Sequence, residues 1–169
     1  HRVLLANQTG KDLYLCLPQS ASGGDPAFDA DYQNSWIYKL ASFLKNGAVV
    51  DGVSYPGLLP HLRVYLEWGN ENWNYSLNGP YGSRGDITHD VGLARSHNTV
   101  AFQQFTAMGG RVWLDGSGNV TNADDTLWSC LRAKNVSDIF RVVYGDQAMP
   151  GGSAGLNADP VVRPLFEWQ

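Results

Sequence analysis

The stretch that decides the fold is Val64-Tyr65-Leu66-Glu67-Trp68-Gly69-Asn70-Glu71-Asn72-Trp73-Asn74. Its β-branched and aromatic beginning predicts an extended, covered strand over 63–68. Gly69 permits a bend or a close backbone approach, and a carboxylate with amides follows where the strand should end. Because ligands of parallel α/β folds sit beyond the carboxyl ends of strands, this end is the candidate site.

On either side of this strand, apolar strand patterns alternate with helical ones. The predicted strands are 12–17, 63–68 and 161–168. Residues 1–10 are predicted to be the end of a helix, and further helices are predicted over 31–46 and 88–108. A last, long helix is expected to be capped by Thr121 or Asn122 and to end at Gly145. Residues 48–61 are expected to be an irregular connection. Such alternation predicts a parallel α/β sheet.

The number of strands limits the domain that the chain can form. An eight-stranded barrel cannot be closed by three strands. No linker or repeat divides the sequence. We therefore expect residues 1–169 to be a single partial (β/α)8 barrel domain, roughly barrel strands three to five, truncated at both ends.

Composition excludes several classes of function. The 169 residues carry a formal net charge of −4 without a Lys/Arg run, which argues against a nucleic-acid footprint. No apolar stretch reaches membrane-spanning length. Two cysteines, Cys16 and Cys130, do not make a disulfide framework and are expected to be buried thiols. The loop Asp115–Asn119 resembles half a calcium loop but lacks its later Gly and Glu, and the histidines show no ligand spacing, so no metal site is expected.

The residues at the end of the strand suit work on sugars. A carboxylic acid at Glu71 is able to protonate a glycosidic oxygen and then, as carboxylate, activate water, and the indole of Trp73 would raise its pKa by excluding water. The amide of Asn70 both donates and accepts, as a sugar hydroxyl requires. The alternatives are a salt-bridged surface glutamate at position 71 and a turn-forming asparagine at position 70.

The same residues resemble a known family. A strand ending in Asn70-Glu71 is similar to the fourth barrel strand of clan A glycoside hydrolases, and Glu67-Trp68-Gly69-Asn70-Glu71-Asn72-Trp73-Asn74 resembles a large bacterial branch with the pattern E-x-x-N-E-x-W-N. Two flanking pieces also fit that branch: Leu5-Ala6-Asn7-Gln8-Thr9-Gly10-Lys11-Asp12-Leu13-Tyr14, and Val136-Ser137-Asp138-Ile139-Phe140-Arg141 with Arg163-Pro164.

The resemblance implies a retaining hydrolase of polysaccharides or oligosaccharides, extracellular or periplasmic. In that clan the equivalent of Glu71 is the general acid/base, and the equivalent of Asn70 binds the sugar 2-hydroxyl. The nucleophile belongs on the seventh barrel strand, outside this chain. No cofactor, metal or obligate protein partner is implied. The rival interpretations are a non-catalytic carbohydrate-binding barrel and a structural α/β module.

Four further residues complete the predicted site. Trp73 is either a sugar platform or a packing residue, Asn74 a hydroxyl ligand or a turn former, and Tyr75 a platform or a plain loop residue. Glu67 shares side-chain parity with Glu71 and is expected either to support the site residues without contacting substrate or to be structural. It is a poor nucleophile candidate because four strand residues place it about 13 Å from Glu71, whereas retention needs carboxyl groups about 5–5.5 Å apart.

Overall fold

The computed structural model describes residues 2–69, 85–151 and 159–165, without the side chains of Gly85 and Asp86. In chain order the elements are α1 Arg2–Thr9, β1 Leu13–Leu17, α2 Trp36–Asn46, β2 Ala48–Val50, β3 Val53–Tyr55, β4 Val64–Trp68, α3 Gly85–Ser96, α4 Val100–Ala107, β5 Val112–Leu114, β6 Val120–Ala123, α5 Asp125–Tyr144 and β7 Val162–Leu165. The fold is α/β, as the alternation of patterns predicts.

A parallel sheet of three strands, in the order β1-β4-β7, forms the centre of the molecule. The predicted strands 12–17 and 63–68 are confirmed, and the strand predicted over 161–168 is seen over Val162–Leu165, with 166–169 outside the described residues. The spatial order of the strands follows their order in the chain. The stretch Val64–Trp68 therefore occupies the middle of the sheet.

The two faces of this sheet differ because strand side chains alternate between them. The face that contacts α5 is apolar and buried, and its residues on β1 and β4 include Leu13, Leu17, Val64, Leu66 and Trp68. The opposite face carries Tyr14, Cys16, Tyr65, Glu67 and Arg163. Burial of the apolar face between strands and helices is the main stabilising contribution.

Helix α5 packs against α2 and the sheet. Its residues Leu131, Ile139 and Phe140 are at most 3% exposed, and the helix ends before Gly145, whose φ of 88° suits glycine. The predicted cap at Thr121 or Asn122 is wrong, because both residues lie in β6 and the N-cap is Asp124. Both residues are in a strand because β6 pairs with the antiparallel strand Val112–Leu114.

Two predicted helices are shorter than expected. Residues 31–46 contain a 3-10 turn, Tyr32–Asn34, before α2, because the Ser35 hydroxyl accepts from Tyr38 N at 3.2 Å and starts a new helix. Residues 88–108 divide into α3 and α4, because Asn98 adopts a φ of 48° and Thr99 caps the second helix. Part of 48–61, expected to be irregular, forms the β2–β3 hairpin.

Candidate functional site

The predicted site residues Asn70, Glu71, Trp73, Asn74 and Tyr75 lie outside the described residues. The structure describes the strand that leads into them, the neighbouring loop after β1, and Glu67. The geometry of the site is therefore built from the carboxyl end of β4 and from what contacts it.

The backbone leaves the sheet at Gly69. Leu17 and Trp68 are register partners at the carboxyl ends of β1 and β4, and Gly69 N donates to Leu17 O at 2.9 Å. Gly69 has a φ of 74°, a left-handed conformation in which a side chain would be strained. Asn70 is the next residue in the sequence.

Glu67 is a buried carboxylate with two donors on one oxygen. The Tyr14 hydroxyl donates to its Oε2, and the Cys16 thiol donates to the same oxygen at 3.4 Å. All three side chains share a sheet face because Cys16 and Glu67 are register partners. Only 4% of Glu67 is exposed, and burial of a carboxylate requires such hydrogen bonds.

The Glu67 carboxylate also changes the acidity of its neighbours. Its hydrogen bond with the Tyr14 hydroxyl is the main cause that raises the pKa of this phenol well above its usual range. Desolvation and the hydrogen bond to Glu67 raise the pKa of Cys16. Both donors consequently keep their protons at neutral pH, and the three side chains form a neutral phenol, a neutral thiol and an acceptor.

A buried arginine of α5 ties the loop after β1 to the end of β4. Arg132 donates through Nη1 to Gly23 O and through Nη2 to Ala21 O. Its guanidinium carbon lies 6.0 Å from the ring centroid of Trp68 and 5.9 Å from that of Trp128. Trp68 Nε1 in turn donates to Gln19 O at 3.3 Å. These contacts hold the loop beside the carboxyl edge of the sheet.

Asp90 of α3 is a second buried charged group near this edge. Its Oδ2 accepts from Trp128 Nε1 at 2.8 Å. Burial raises the pKa of Asp90, against the opposing effects of Arg132 and of the Trp128 hydrogen bond. The sequence prediction missed both Asp90 and Arg132. A signal was present for Arg132, which falls four residues after Trp128 on the buried side of α5.

The remaining candidates from the sequence have structural explanations. Asp115 Oδ1 accepts from Ser117 N and Asn119 N at 2.8 and 2.9 Å, so this carboxylate closes the β5–β6 turn. No group of three His, Cys, Asp or Glu suited to a metal occurs among the described residues. The expected burial of Cys16 and Cys130 is wrong, because both thiols are exposed and neither forms a disulfide.

No protein-family model, curated protein or solved structure matches this chain. None of the helices in the described part of the chain has the length and apolar character needed to cross a membrane. The class defined by the fold is thus an α/β protein with a three-stranded parallel sheet, whose candidate site adjoins the end of the central strand.

Proposed function

We propose that this chain is part of a retaining glycoside hydrolase barrel acting on a polysaccharide or oligosaccharide, with Glu71 as general acid/base. The observation that carries the proposal is the position of the Asn70-Glu71 pair in the sequence. In the sequence the pair begins two residues after Trp68, the last residue of β4, which is the central strand of a parallel sheet. Parallel α/β proteins bind ligands beyond the carboxyl ends of their strands. The strand order β1-β4-β7 also fits three consecutive barrel strands.

The proposed site divides the chemistry among the residues after β4. Glu71 protonates the leaving oxygen and then deprotonates water, while a carboxylate on a strand outside this chain is the nucleophile. Asn70 binds the sugar 2-hydroxyl, and Trp73, Asn74 and Tyr75 contact the sugar. No cofactor takes part. The proposed location is extracellular or periplasmic.

Glu67 has a supporting part in this proposal. Glu67 is the next-to-last residue of β4, and its carboxylate accepts hydrogen bonds from Tyr14 and Cys16. These contacts on one face of the sheet fix the orientation of the strand that precedes Asn70 and Glu71 in the sequence. Glu67 therefore positions the site without touching the reacting atoms.

The test uses Glu71→Gln in the complete protein with two substrates for each candidate sugar. A dinitrophenyl glycoside needs little acid assistance in its first step, whereas an alkyl glycoside needs full protonation of its leaving group. We expect hydrolysis of the alkyl glycoside to fall about a hundred-fold to ten-thousand-fold, with the first step on the dinitrophenyl glycoside much less affected. Equal loss on both substrates would contradict an acid/base role.

A matched control is Asp51→Asn, which removes a carboxylate from the exposed β2–β3 turn. This hairpin precedes β4 in the chain, and asparagine tolerates the φ of 51° found there. Activity should be unchanged. If the complete protein binds saccharides but shows no hydrolysis sensitive to Glu71→Gln, the function is that of a non-catalytic carbohydrate-binding barrel. Loss of binding in Trp73→Ala would then identify the sugar-contacting loop.

A further inference from the structure

A cavity of about 300 Å³ lies between the loop after β1, helix α3, the start of α4 and the middle of α5. Its lining includes Gly24, Asp29, Asp90, Ala94, His97 and Arg132. It is separate from the polar sheet face that carries Glu67. The loop that forms one wall is the one Arg132 holds against the carboxyl edge of the sheet.

Asp90 gives this cavity an unused hydrogen-bond acceptor. The side chain is 7% exposed and belongs to the lining. Its Oδ2 accepts from Trp128 Nε1, but its Oδ1 accepts no hydrogen bond from any described residue. A carboxylate oxygen with this free capacity is able to accept a hydrogen bond from a molecule in the cavity that Asp90 lines. A molecule in the cavity that donates to Oδ1 would complete the coordination of Asp90.

The other charged side chains around the cavity are partly engaged. Arg132 lies close enough to influence Asp90 electrostatically, and its terminal nitrogens donate to two backbone carbonyls, whereas its Nε is a buried donor without a hydrogen-bond partner among the described residues. Asp29 accepts from Gly24 N through Oδ2 at 3.2 Å and from Asp31 N through Oδ1 at 3.1 Å. The positive charge of Arg132 partly balances the negative charge of Asp90. A neutral hydrogen-bond donor therefore suits this site better than a cation.

The size of the cavity and the side chains of its wall restrict the kind of molecule that fits inside. Small-molecule pockets span about 300–1,000 Å³, so this cavity suits a single ring and not an extended chain. The apolar part of the cavity wall is formed by Leu93, Ala94 and Val100. A molecule with hydroxyl donors and C–H faces fits both the open oxygen of Asp90 and these side chains, since a hydroxyl donates and accepts at once.

We propose that this cavity binds a small neutral polyhydroxy molecule, of the size of one sugar ring, through a hydroxyl that donates to Asp90 Oδ1. The site is formed by the loop after β1 with α3, α4 and α5 alone. It does not depend on the role of Glu71, and it is a second binding site beside the sheet edge.

The test titrates the protein with D-glucose, myo-inositol and glycerol, with inorganic phosphate and methylamine as charged probes. Backbone amide NMR shifts and calorimetry report binding. We expect saturable binding of a ring polyol, with shifts at Gly24, Leu93 and Ala94. Tighter binding of phosphate or methylamine would overturn the neutral-ligand assignment, and an absence of saturable polyol binding would overturn the site.

Two variants locate the binding in the cavity. Ala94→Leu places extra carbons in the space, and Ala107→Leu, on the exposed end of α4, is its matched control. In Asp90→Asn, the new amide oxygen still accepts the hydrogen bond from Trp128 Nε1. The amide nitrogen, which is a donor, then takes the place of Oδ1, the acceptor that faces the ligand. We expect affinity to fall about ten-fold or more in both cavity variants and to persist in Ala107→Leu.

Unchanged affinity in the folded Asp90→Asn protein would overturn the proposal even if Ala94→Leu fails to fold. Glu71→Gln separates this proposal from the preceding one. Polyol binding at the cavity should survive that substitution, whether or not it abolishes hydrolysis. Loss of the cavity shifts in Glu71→Gln would place the bound polyol elsewhere and contradict the inference.

Discussion

One carboxylate oxygen of Glu67 accepts two hydrogen bonds, from the Tyr14 hydroxyl and from the Cys16 thiol. The hydrogen bond with Glu67, together with desolvation and the charge interaction with this side chain, raises the pKa of Tyr14. In Glu67→Gln the charge is gone, and we expect the pKa of Tyr14 to fall toward its ordinary value of 10.0. Titration of proteins labelled at the tyrosine ring carbon that bears the hydroxyl measures this directly.

The Tyr14→Phe protein assigns the resonance by its disappearance. Tyr38, which is on α2 and has no contact with Glu67 in the described structure, provides the control signal. Its ring resonance at neutral pH should have the same chemical shift in wild type and Glu67→Gln. A Tyr14 pKa that does not move on removal of the Glu67 charge would show that the two side chains are not hydrogen-bonded in solution.

Asp90 predicts a pH dependence of stability with a definite sign. Burial raises its folded-state pKa above the unfolded value of 3.8, so the folded protein binds this proton more tightly than the unfolded chain. The contribution of Asp90 to the free energy of unfolding is therefore greatest at low pH. It is lost as pH rises from 3.8 through the raised folded-state pKa.

The difference between wild type and Asp90→Asn isolates this contribution, because other carboxylates cancel. Urea unfolding at a series of pH values should show wild type losing stability relative to Asp90→Asn across that window, with a constant difference above it. Asparagine retains an oxygen for Trp128 Nε1, so the variant is expected to fold. A difference that does not depend on pH would contradict the raised pKa.

At the scale of elements, the start of α2 depends on one hydroxyl. Ser35 Oγ accepts from Tyr38 N at 3.2 Å, which supplies one of the orphan donors of the first turn. Ser35→Ala should lower the free energy of unfolding by about 1 kcal/mol. Ser42→Ala, inside the same helix, is the matched control and should have a much smaller effect. Equal losses in urea unfolding would exclude a special role for the cap.

Arg132 links α5 to the loop after β1, and a lysine cannot replace it. The guanidinium donates to two carbonyls at once and lies between two indole rings, whereas an ammonium is a point charge without this fork. Arg132→Lys should destabilise the protein by about 2 kcal/mol or more, since hydrogen bonds of charged groups contribute about 1.5–3 kcal/mol each.

Hydrogen exchange adds a local readout for Arg132→Lys. Amides of residues 19–24 should exchange faster, because the loop loses its anchor, while those of the β5–β6 hairpin should be unchanged. Lys39→Arg, at an exposed position of α2, is the control for replacing one basic residue type by the other. Uniformly faster exchange throughout the protein would indicate a global effect and contradict a local clamp.

Elements were predictable from sequence where local patterns determine them. The strands β1 and β4 and the ends of α1 and α5 agree with prediction because apolar runs and terminal glycines specify them. The β2–β3 hairpin was missed although Asp51-Gly52, with φ values of 51° and 77°, is a strong turn pattern. Its exposed valines lack the alternation that marks a half-buried strand.

The candidate site was predictable only in part. The pattern after β4 pointed to the carboxyl edge of the sheet, and parity predicted that Glu67 shares a face with Glu71, which lies outside the described residues. The partners of Glu67 come from β1, fifty-one and fifty-three positions away. Burial of Asp90 and Arg132 likewise results from contacts between distant helices and loops, which periodicity within one helix does not reveal.

At the scale of the molecule, the sheet is covered unevenly. Parallel sheets are usually buried on both faces, but here the face opposite α5 leaves Tyr14 49% and Leu165 37% exposed. In the proposed barrel this face points inward, toward strands outside this chain. The exposed thiol of Cys16 lies on the same face, whereas the exposed thiol of Cys130 lies on α5.

The two thiols therefore test the barrel proposal. Iodoacetamide should modify both cysteines of this chain when it is expressed alone. In the complete protein we expect Cys130 to react at the same rate and Cys16 to be protected at least about ten-fold, because closing strands would cover its face. Cys16 should already be the slower of the two, since desolvation and Glu67 raise its pKa and lower its thiolate fraction. Mass spectrometry of the peptides measures both rates in one sample, and equal reactivity of Cys16 in the two proteins would contradict a closed barrel.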